Sequence, residues 1–191
     1  SVALSKDTLL SGSTDHTVRL WDLKKKTHEV KFEGHSSMVT CVLICKSTGF
    51  SSSHDSTIRI WDLKHRKPQA IVSVFEQIWQ MCIIEGGQTI AAACRYSISF
   101  IDIKTKKTSK IKTSVGYNAS AICFSKDETH FVIGYGDGAV QCWFKKSILF
   151  EQKKHSAPVL AARFLPECKK FVTCSEDRSV VIWDIQNKQC I

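Results

Sequence analysis

Short apolar segments rich in β-branched residues alternate with polar turns along the chain. The pattern is clearest where polar turns at Lys46–Gly49 and His54–Ser56 separate four such segments. These segments are Val39–Ile44, Phe50–Ser53, Thr57–Leu63 and Gln69–Val74. Segments of this length and composition are typical of β-strands. The pattern therefore predicts an all-β protein in which four short strands form one unit.

The unit is repeated. The segment Asp15–Leu23 recurs as Asp55–Leu63 and again as Asp177–Ile185, each time containing a Trp-Asp pair. Weaker copies lie at Ser97–Asp102, where Ile101 stands in place of the tryptophan, and at Gly136–Trp143. The corresponding positions are Trp21, Trp61, Ile101, Trp143 and Trp183, which gives steps of 40, 40, 42 and 40 residues. A fixed period of this length indicates a repeat architecture.

Four strands and a Trp-Asp pair in each period resemble the WD40 family. The resemblance implies an all-β, WD40 β-propeller with about five blades of four antiparallel strands, covering residues 1–191. The predicted blades are 1–33 (partial), 34–74, 75–115, 116–153 and 154–191 (partial). The chain starts within an innermost strand, lacks an initiator methionine and stops where an outer strand should begin. We therefore expect a segment of a larger, seven-bladed propeller, which needs about 280 residues at this period.

The resemblance also implies a hydrogen-bonded set of histidine, serine or threonine, aspartate and tryptophan in each blade. The matching residues are His35, Ser51, Asp55 and Trp61 in the second blade, His155, Thr173, Asp177 and Trp183 in the fifth, and Ser11, Asp15 and Trp21 in the first. The same residue types form hydrolase triads. We favour the structural interpretation, with no catalytic residues, because the set recurs in several blades.

The third and fourth blades depart from this pattern. Arg95 replaces the aspartate of the third blade, and Ile133 replaces the serine or threonine of the fourth. No Gly-His pair precedes either innermost strand. We expect these two blades to be held together by apolar packing.

The composition limits the chemistry. None of the nine cysteines forms a Cys-x-x-Cys pair, so we predict no metal site and no cofactor. Nine thiols, most of them within apolar runs, are typical of an intracellular protein, either cytoplasmic or nuclear. The apolar runs are far shorter than the ~20 residues of a membrane span, so membrane insertion is not expected.

The formal net charge of +9 permits a nucleic-acid or acidic partner. The turns between third and fourth strands contain 12 of the 27 lysines and arginines, including Lys24, Lys25, Lys26, Lys64, Arg66, Lys67, Lys104, Lys106, Lys107, Lys145 and Lys146. No aromatic residues lie among them to stack on bases. Contact with RNA is therefore possible but not favoured.

The opposite face should carry the partner-binding residues. The candidates there are His16, His54, Arg95, Tyr96, Tyr117, Asn118 and Arg178. Arginine and tyrosine are frequent anchors of protein interfaces. Trp79 falls at the start of an innermost strand, where packing is the favoured interpretation.

The sequence thus favours a non-catalytic scaffold that mediates protein–protein interactions within a multi-subunit complex, with no small-molecule substrate. One alternative is a ribonucleoprotein or ribosome-biogenesis component that contacts RNA through the basic face. Another is the substrate-recognition subunit of a ubiquitin ligase. The inference from propeller to scaffold depends on the family resemblance.

Overall fold

The computed structural model describes residues 1–113 and 117–191, apart from the side chains of residues 28 and 29. These residues form twenty strands in five four-stranded antiparallel sheets. The strands of the first two sheets, blades 1 and 2, are β1 (Val2–Ser5), β2 (Thr8–Gly12), β3 (Val18–Asp22), β4 (Thr27–Phe32), β5 (Val39–Cys45), β6 (Thr48–Ser53), β7 (Thr57–Asp62) and β8 (Lys67–Ser73). Each sheet is a meander in which consecutive strands pair.

The remaining sheets, blades 3 to 5, follow the same plan. Their strands are β9 (Ile78–Ile84), β10 (Thr89–Cys94), β11 (Ser97–Asp102), β12 (Thr108–Lys112), β13 (Ala119–Phe124), β14 (His130–Tyr135), β15 (Ala139–Phe144), β16 (Ser147–Lys153), β17 (Val159–Phe164), β18 (Lys170–Ser175), β19 (Val180–Asp184) and β20 (Gln189–Cys190). A 3₁₀ turn, Glu85–Gly87, joins β9 to β10. The all-β architecture of propeller blades is confirmed. The predicted boundary between the third and fourth blades, at 115–116, lies outside the described residues.

One predicted turn is shorter than expected. The sequence predicts a break over Lys46–Gly49, but β5 pairs with β6 up to Cys45 and Thr48. Lys46 takes a left-handed backbone conformation, with φ of 56°, and this closes the hairpin within two residues. Gly49 therefore belongs to β6, where it pairs with Trp61.

The hydrophobic core lies between blades rather than within them. Successive innermost strands, β1, β5, β9, β13 and β17, pack against their neighbours. Four buried clusters fill the spaces between consecutive blades, and aromatic pairs lie in three of them. Trp61 stacks on Phe32 of the preceding blade at 4.8 Å, for example. Alternation along each strand explains this, since successive side chains point to opposite faces of the sheet.

The meander topology sorts the connections into two faces. The turns between second and third strands, and the loops leading to the next innermost strand, lie on one side, here called the top face. The turns between first and second strands and between third and fourth strands lie on the other side, here called the lower face.

Candidate functional site

A chain of side-chain hydrogen bonds crosses blade 2 from its core to the top face. The Trp61 indole donates to Ser51 Oγ at 2.9 Å, and Ser51 Oγ lies 2.8 Å from His35 Nε2. His35 Nδ1 lies 2.7 Å from Asp55 Oδ2, which also accepts the backbone N–H of Ser36. A neutral imidazole with its proton on Nδ1 satisfies every partner in this chain.

Burial is the main cause that lowers the pKa of His35, and it outweighs the opposite effect of the neighbouring Asp55 carboxylate. Burial alone would raise the pKa of Asp55, but hydrogen bonds from Thr57 and His35 lower it overall. The pair is therefore a neutral imidazole beside a carboxylate near neutral pH.

The geometry of His35, Ser51 and Asp55 resembles a hydrolase triad, but Ser51 has no access to a substrate. Its side chain is completely buried, and its oxygen accepts the Trp61 indole proton. A nucleophile must reach the substrate carbonyl. The set therefore acts as a structural connection between strands and not as a nucleophilic site.

Blade 5 contains the same connection. Trp183 donates to Thr173 Oγ1 at 2.8 Å, and His155 lies 2.8 Å from Thr173 and 3.0 Å from Asp177. Blade 1 contains a shorter one. The Trp21 indole donates to Ser11 Oγ at 2.9 Å. Asp15 is bound within its own turn, where hydrogen bonds from the side chain and the backbone N–H of Thr17 lower its pKa to about 2.

Blade 4 adds a polar network to the predicted apolar packing. Gln141 Oε1 accepts the Trp143 indole N–H at 3.1 Å and the Tyr135 hydroxyl at 2.6 Å. The amide of Gln141 donates to Glu151 at 2.6 Å, and Lys153 pairs with Asp137 at 3.0 Å. The apolar packing is present in two buried clusters, and these polar partners come from other strand positions than those of the family pattern.

Blade 3 also has a polar connection in a new place. Glu76, on the loop before β9, accepts the Tyr96 backbone N–H at 2.9 Å and the Ser97 hydroxyl at 2.8 Å. Lys110 of β12 pairs with the same carboxylate at 2.9 Å. Burial alone would raise the pKa of Glu76, but hydrogen bonds from Lys110, Tyr96 and Ser97 lower it overall. Glu76 thus ties the loop to the blade in which Arg95 replaces the usual aspartate.

The predicted top-face residues lie on top-face loops, and some are brought together. The Arg95 guanidinium lies 5.1 Å from the centre of the Tyr96 ring, and Lys153 Nζ lies 5.8 Å from that of Tyr117. Both tyrosines are half exposed. Phe75, which the sequence interpretation missed, is 85% exposed beside Glu76. The signal that could have found it is a phenylalanine in the loop where blade 2 has its Gly-His pair.

The other predicted top-face residues are more dispersed. His16 and Arg178 are exposed at equivalent turn positions of blades 1 and 5, with φ of 69° and 68°. Asn118 is partly buried, and its carbonyl accepts the backbone N–H of Gly136. These three residues do not join the Arg95 and Tyr96 pair in one contiguous contact.

His54 and Trp79 form an unusual pair at the edge of blades 2 and 3. Their ring centres lie 4.4 Å apart in an edge-on arrangement. Burial lowers the pKa of His54. His54 Nε2 and Trp79 Nε1 are both buried without a hydrogen-bond partner among the described residues. Such atoms are rare in folded proteins.

The basic turns of the lower face share one local structure. In four of them the aspartate at the end of the third strand accepts a backbone N–H from the turn. One basic residue in each turn takes a left-handed conformation: Lys26, Arg66, Lys106, Lys145 and Lys188. Lys24 pairs with Asp7 at 2.7 Å and Lys25 with Asp22 at 3.4 Å, so part of the positive charge of blade 1 is compensated.

Lys64, Lys67, Lys104 and Lys107 are exposed in the corresponding turns of blades 2 and 3, and Lys146 is exposed in that of blade 4. In residues 1–113 and 117–191, no three histidine, cysteine, aspartate or glutamate side chains are placed to hold a metal ion. In the same part of the chain, the structure contains no helix that is long and apolar enough to span a membrane.

Comparison with known proteins identifies similar chains. The human F-box/WD repeat-containing protein 10 is 32% identical over 186 residues, 96% of this chain and 17% of its own length. The Saccharomyces cerevisiae cell division control protein 4 is 28% identical over 184 residues, 94% of this chain and 21% of its own length. This chain thus spans about a fifth of these relatives.

The solved structure of U3-55K superimposes with a TM-score of 0.81 at 18% identity and covers 96% of this chain and 61% of that chain. This likeness shows the fold. The family model for the WD domain, G-beta repeat, matches residues 1–22, 26–62 and 146–184, which are slightly more than half of the chain. The unmatched stretch contains blade 3 and most of blade 4, where the polar connections are altered. On these grounds, the chain belongs to the WD40 repeat family.

Proposed function

We propose that the chain is a non-catalytic scaffold that holds other proteins within a multi-subunit assembly, and that the top face of blades 2 to 4 is its main binding surface. The observation that carries this proposal is Phe75, which is 85% exposed with a left-handed backbone, φ 62°. Non-glycine residues rarely take that conformation. The exposed Arg95, Tyr96 and Tyr117 lie on the adjacent loops, and these residue types are enriched at interfaces.

Rigid blades with several loops on one face also suit simultaneous contacts with separate partners.

The cysteines support placement of the scaffold in a reducing compartment, the cytoplasm or the nucleus. All nine are free thiols. Burial raises the pKa of Cys94 to about 11 and that of Cys142 to about 12, so these thiols are weak nucleophiles that pack as small apolar groups.

A second candidate function is substrate recognition for a ubiquitin ligase. The name of the human relative joins an F-box with WD repeats. In this case the top face binds a short peptide, and Arg95 with Tyr96 forms the anchor point. The ribonucleoprotein alternative depends instead on the lower face, where part of the charge is compensated by Asp7 and Asp22.

The test is affinity purification of the full-length protein from native extract, with and without ribonuclease, followed by cross-linking mass spectrometry. We expect partners that survive ribonuclease, cross-link near Lys153, and are lost in the variant Phe75→Ala/Tyr96→Ala. Ile71→Ala is the matched control, because Ile71 is a 57% exposed apolar side chain on the outer strand of blade 2. Partners that disappear with ribonuclease and cross-link at Lys24–Lys26 and Lys104–Lys107 would replace the scaffold with the ribonucleoprotein alternative.

A further inference from the structure

A small pocket of about 270 Å³ opens on the lower face between blades 1 and 2. It lies where the first turn of blade 1 meets the two lower-face turns of blade 2. The volume is below the ~300–1,000 Å³ of clefts that enclose drug-sized ligands, so the pocket suits a single small group. Its polar lining consists of Ser5, Thr8, Lys46, Ser47, Lys64 and Arg66.

The charge of this lining has one sign. In the part of the chain that the structure describes, no carboxylate lines the pocket. Asp62, the acidic residue nearest to Lys64 in sequence, lies outside the lining and holds the His65 ring at 2.7 Å. Lys46 and Lys64 are exposed, and neither forms an ion pair with a described side chain.

The hydroxyl groups of the lining are also available to a ligand. The side chains of Ser5, Thr8 and Ser47 make no hydrogen bond to any described residue. Ser5 and Thr8 belong to blade 1 and Ser47 belongs to blade 2, so the hydroxyl groups come from both sides of the pocket. Each hydroxyl can donate one hydrogen bond.

Blade 1 shows which group a lysine of this turn binds. There, the left-handed Lys6, with φ of 49°, precedes Asp7, and the Asp7 backbone carbonyl accepts the N–H of Leu23 at 2.8 Å. Lys24 comes next in the chain, and its ammonium group pairs with the Asp7 carboxylate at 2.7 Å. The turn therefore places the lysine beside an oxyanion that the same blade supplies.

Blade 2 repeats this arrangement 40 residues further along the chain, with one change. Lys46 is left-handed, with φ of 56°, and the backbone carbonyl of the following residue accepts the N–H of Leu63 at 3.0 Å. That following residue is Ser47, where blade 1 has an aspartate. Blade 2 thus has the lysine of the pair, Lys64, without its carboxylate.

We infer that this pocket, here called the polar pocket, binds the phosphoryl group of a phosphomonoester, with Lys46 and Lys64 as its ion-pair partners and the pocket hydroxyls as further donors. A phosphoryl group of this kind carries a charge of about −1.5 to −2 and three acceptor oxygens. It therefore matches two ammonium groups and several hydroxyls better than a carboxylate does. Hydrogen bonds to an ionised acceptor are the stronger ones.

The test measures fluorescence anisotropy of a fluorescein-labelled peptide, one phosphoserine among glycines and alanines, with the full-length protein. We expect Ser47→Asp to weaken binding roughly tenfold or more, because the new carboxylate pairs with Lys64 as Asp7 pairs with its lysine in blade 1. We expect Lys46→Gln/Lys64→Gln to weaken binding by roughly tenfold or more as well. Peptides with serine or glutamate in place of phosphoserine should bind more weakly by a similar factor.

The matched control is Gln88→Asp. Gln88 is exposed, and its carbonyl accepts the N–H of Ile103, so it occupies in blade 3 the position that Ser47 occupies in blade 2. An equal loss in this control would show general attraction of anions to the lower face and overturn the inference. Unchanged binding by Ser47→Asp, with an unchanged melting temperature, would also overturn it, and so would equal binding of the glutamate peptide.

Competition with inorganic phosphate identifies the source of the phosphoryl group. Tighter binding of the peptide than of inorganic phosphate assigns the polar pocket to a phosphorylated segment of a partner, whereas equal affinities assign it to free phosphate. Oligouridylate has phosphodiesters, and its displacement of the peptide at equal phosphate concentration would overturn the assignment to a monoester. Binding by Phe75→Ala/Tyr96→Ala should match that of the unaltered protein, so the polar pocket and the top-face proposal fail or stand independently.

Discussion

At the scale of single residues, the buried His35 shows how one side chain connects pH to stability. Burial lowers its pKa below the ordinary 6.5, so the folded protein binds fewer protons at this site than the unfolded chain does. Its contribution to stability is complete above pH 6.5 and is lost as the pH falls through the lowered pKa. Asp55 has a lowered pKa as well, and its contribution is lost at still lower pH.

We therefore expect His35→Gln to destabilise the protein most near neutral pH and progressively less as the pH falls below 6.5. The glutamine is polar but does not titrate in this range, so the unfolded variant gains no proton there. The measurement is the free energy of unfolding from urea titrations between pH 7.5 and pH 5, for both proteins. A difference that stays constant with pH would show that the imidazole is not kept neutral by the fold.

At the scale of elements, blade 4 replaces the family pattern with its own polar network. Gln141 lies on β15, is completely buried, and accepts hydrogen bonds from both Trp143 and Tyr135. A buried donor without a partner costs about 1–3 kcal/mol. The stability of this blade therefore depends on one amide group shared by two aromatic residues.

We expect Gln141→Leu to reduce the free energy of unfolding by about 3 kcal/mol, since it leaves the Trp143 and Tyr135 donors unpartnered. The added change Tyr135→Phe should restore part of the lost free energy of unfolding, because it removes one of the two unpartnered donors. Chemical denaturation of both variants checks this. If the second change only adds to the loss, the Tyr135 hydroxyl is satisfied by another group.

The turn of blade 4 has a further constraint. Gly138 has φ of 91°, and a Cβ there would clash with the backbone carbonyl of His155 in blade 5. Ser56 occupies the same turn position in blade 2 with φ of 68°. The close approach of blade 5, rather than the turn itself, requires glycine at this place.

We expect Gly138→Ala to destabilise the protein by about 2 kcal/mol or more, through backbone strain and displacement of blade 5. Ser56→Ala should change stability by less than about 0.5 kcal/mol. Melting temperatures of the two variants provide the comparison. A loss of no more than about 1 kcal/mol for Gly138→Ala would mean that the turn conformation, and not contact with blade 5, determines the cost.

The elements differ in how far the sequence predicts them. The fold could be predicted because Trp61 and Asp55 are separated by a fixed short spacing that recurs in several blades. Glu76 and Gln141 could not be assigned, since each meets partners from other strands or loops that no local spacing marks. Phe75 was missed for a similar reason. Its exposure depends on the loop conformation, and the hydrophobic pattern alone would place phenylalanine inside.

At the scale of the whole molecule, charge is uneven. The net charge of +9 arises from 27 basic and 18 acidic residues, and the lower face contains a lysine or arginine in each turn between third and fourth strands. Ion pairs such as that of Lys24 with Asp7 reduce the positive potential of the lower face only locally. A polyanion should therefore be attracted without recognition of its sequence.

We expect any binding of the protein to a single-stranded oligouridylate to weaken at least tenfold between about 50 and 200 mM salt, as counterion release requires. Lys104→Glu/Lys107→Glu should reduce the salt dependence, and Arg95→Ala should not. Filter binding over a salt series measures the affinity of each protein and the dependence of that affinity on salt. Binding that resists salt, or that Lys104→Glu/Lys107→Glu leaves unchanged, would show that the basic lower face does not supply the contact and would count against the ribonucleoprotein alternative.

The position of the core between blades has a consequence for genetics. Ile60 and Trp61 are neighbours in sequence, but Trp61 packs with Phe32 of blade 1, whereas Ile60 belongs to the cluster shared with Ile78 of blade 3. Second-site suppressors of a lesion at Trp61 should therefore arise upstream, around Phe32, and suppressors of a lesion at Ile60 should arise downstream, around Ile78. Mutations at adjacent codons of one strand should thus have suppressors in different parts of the same gene.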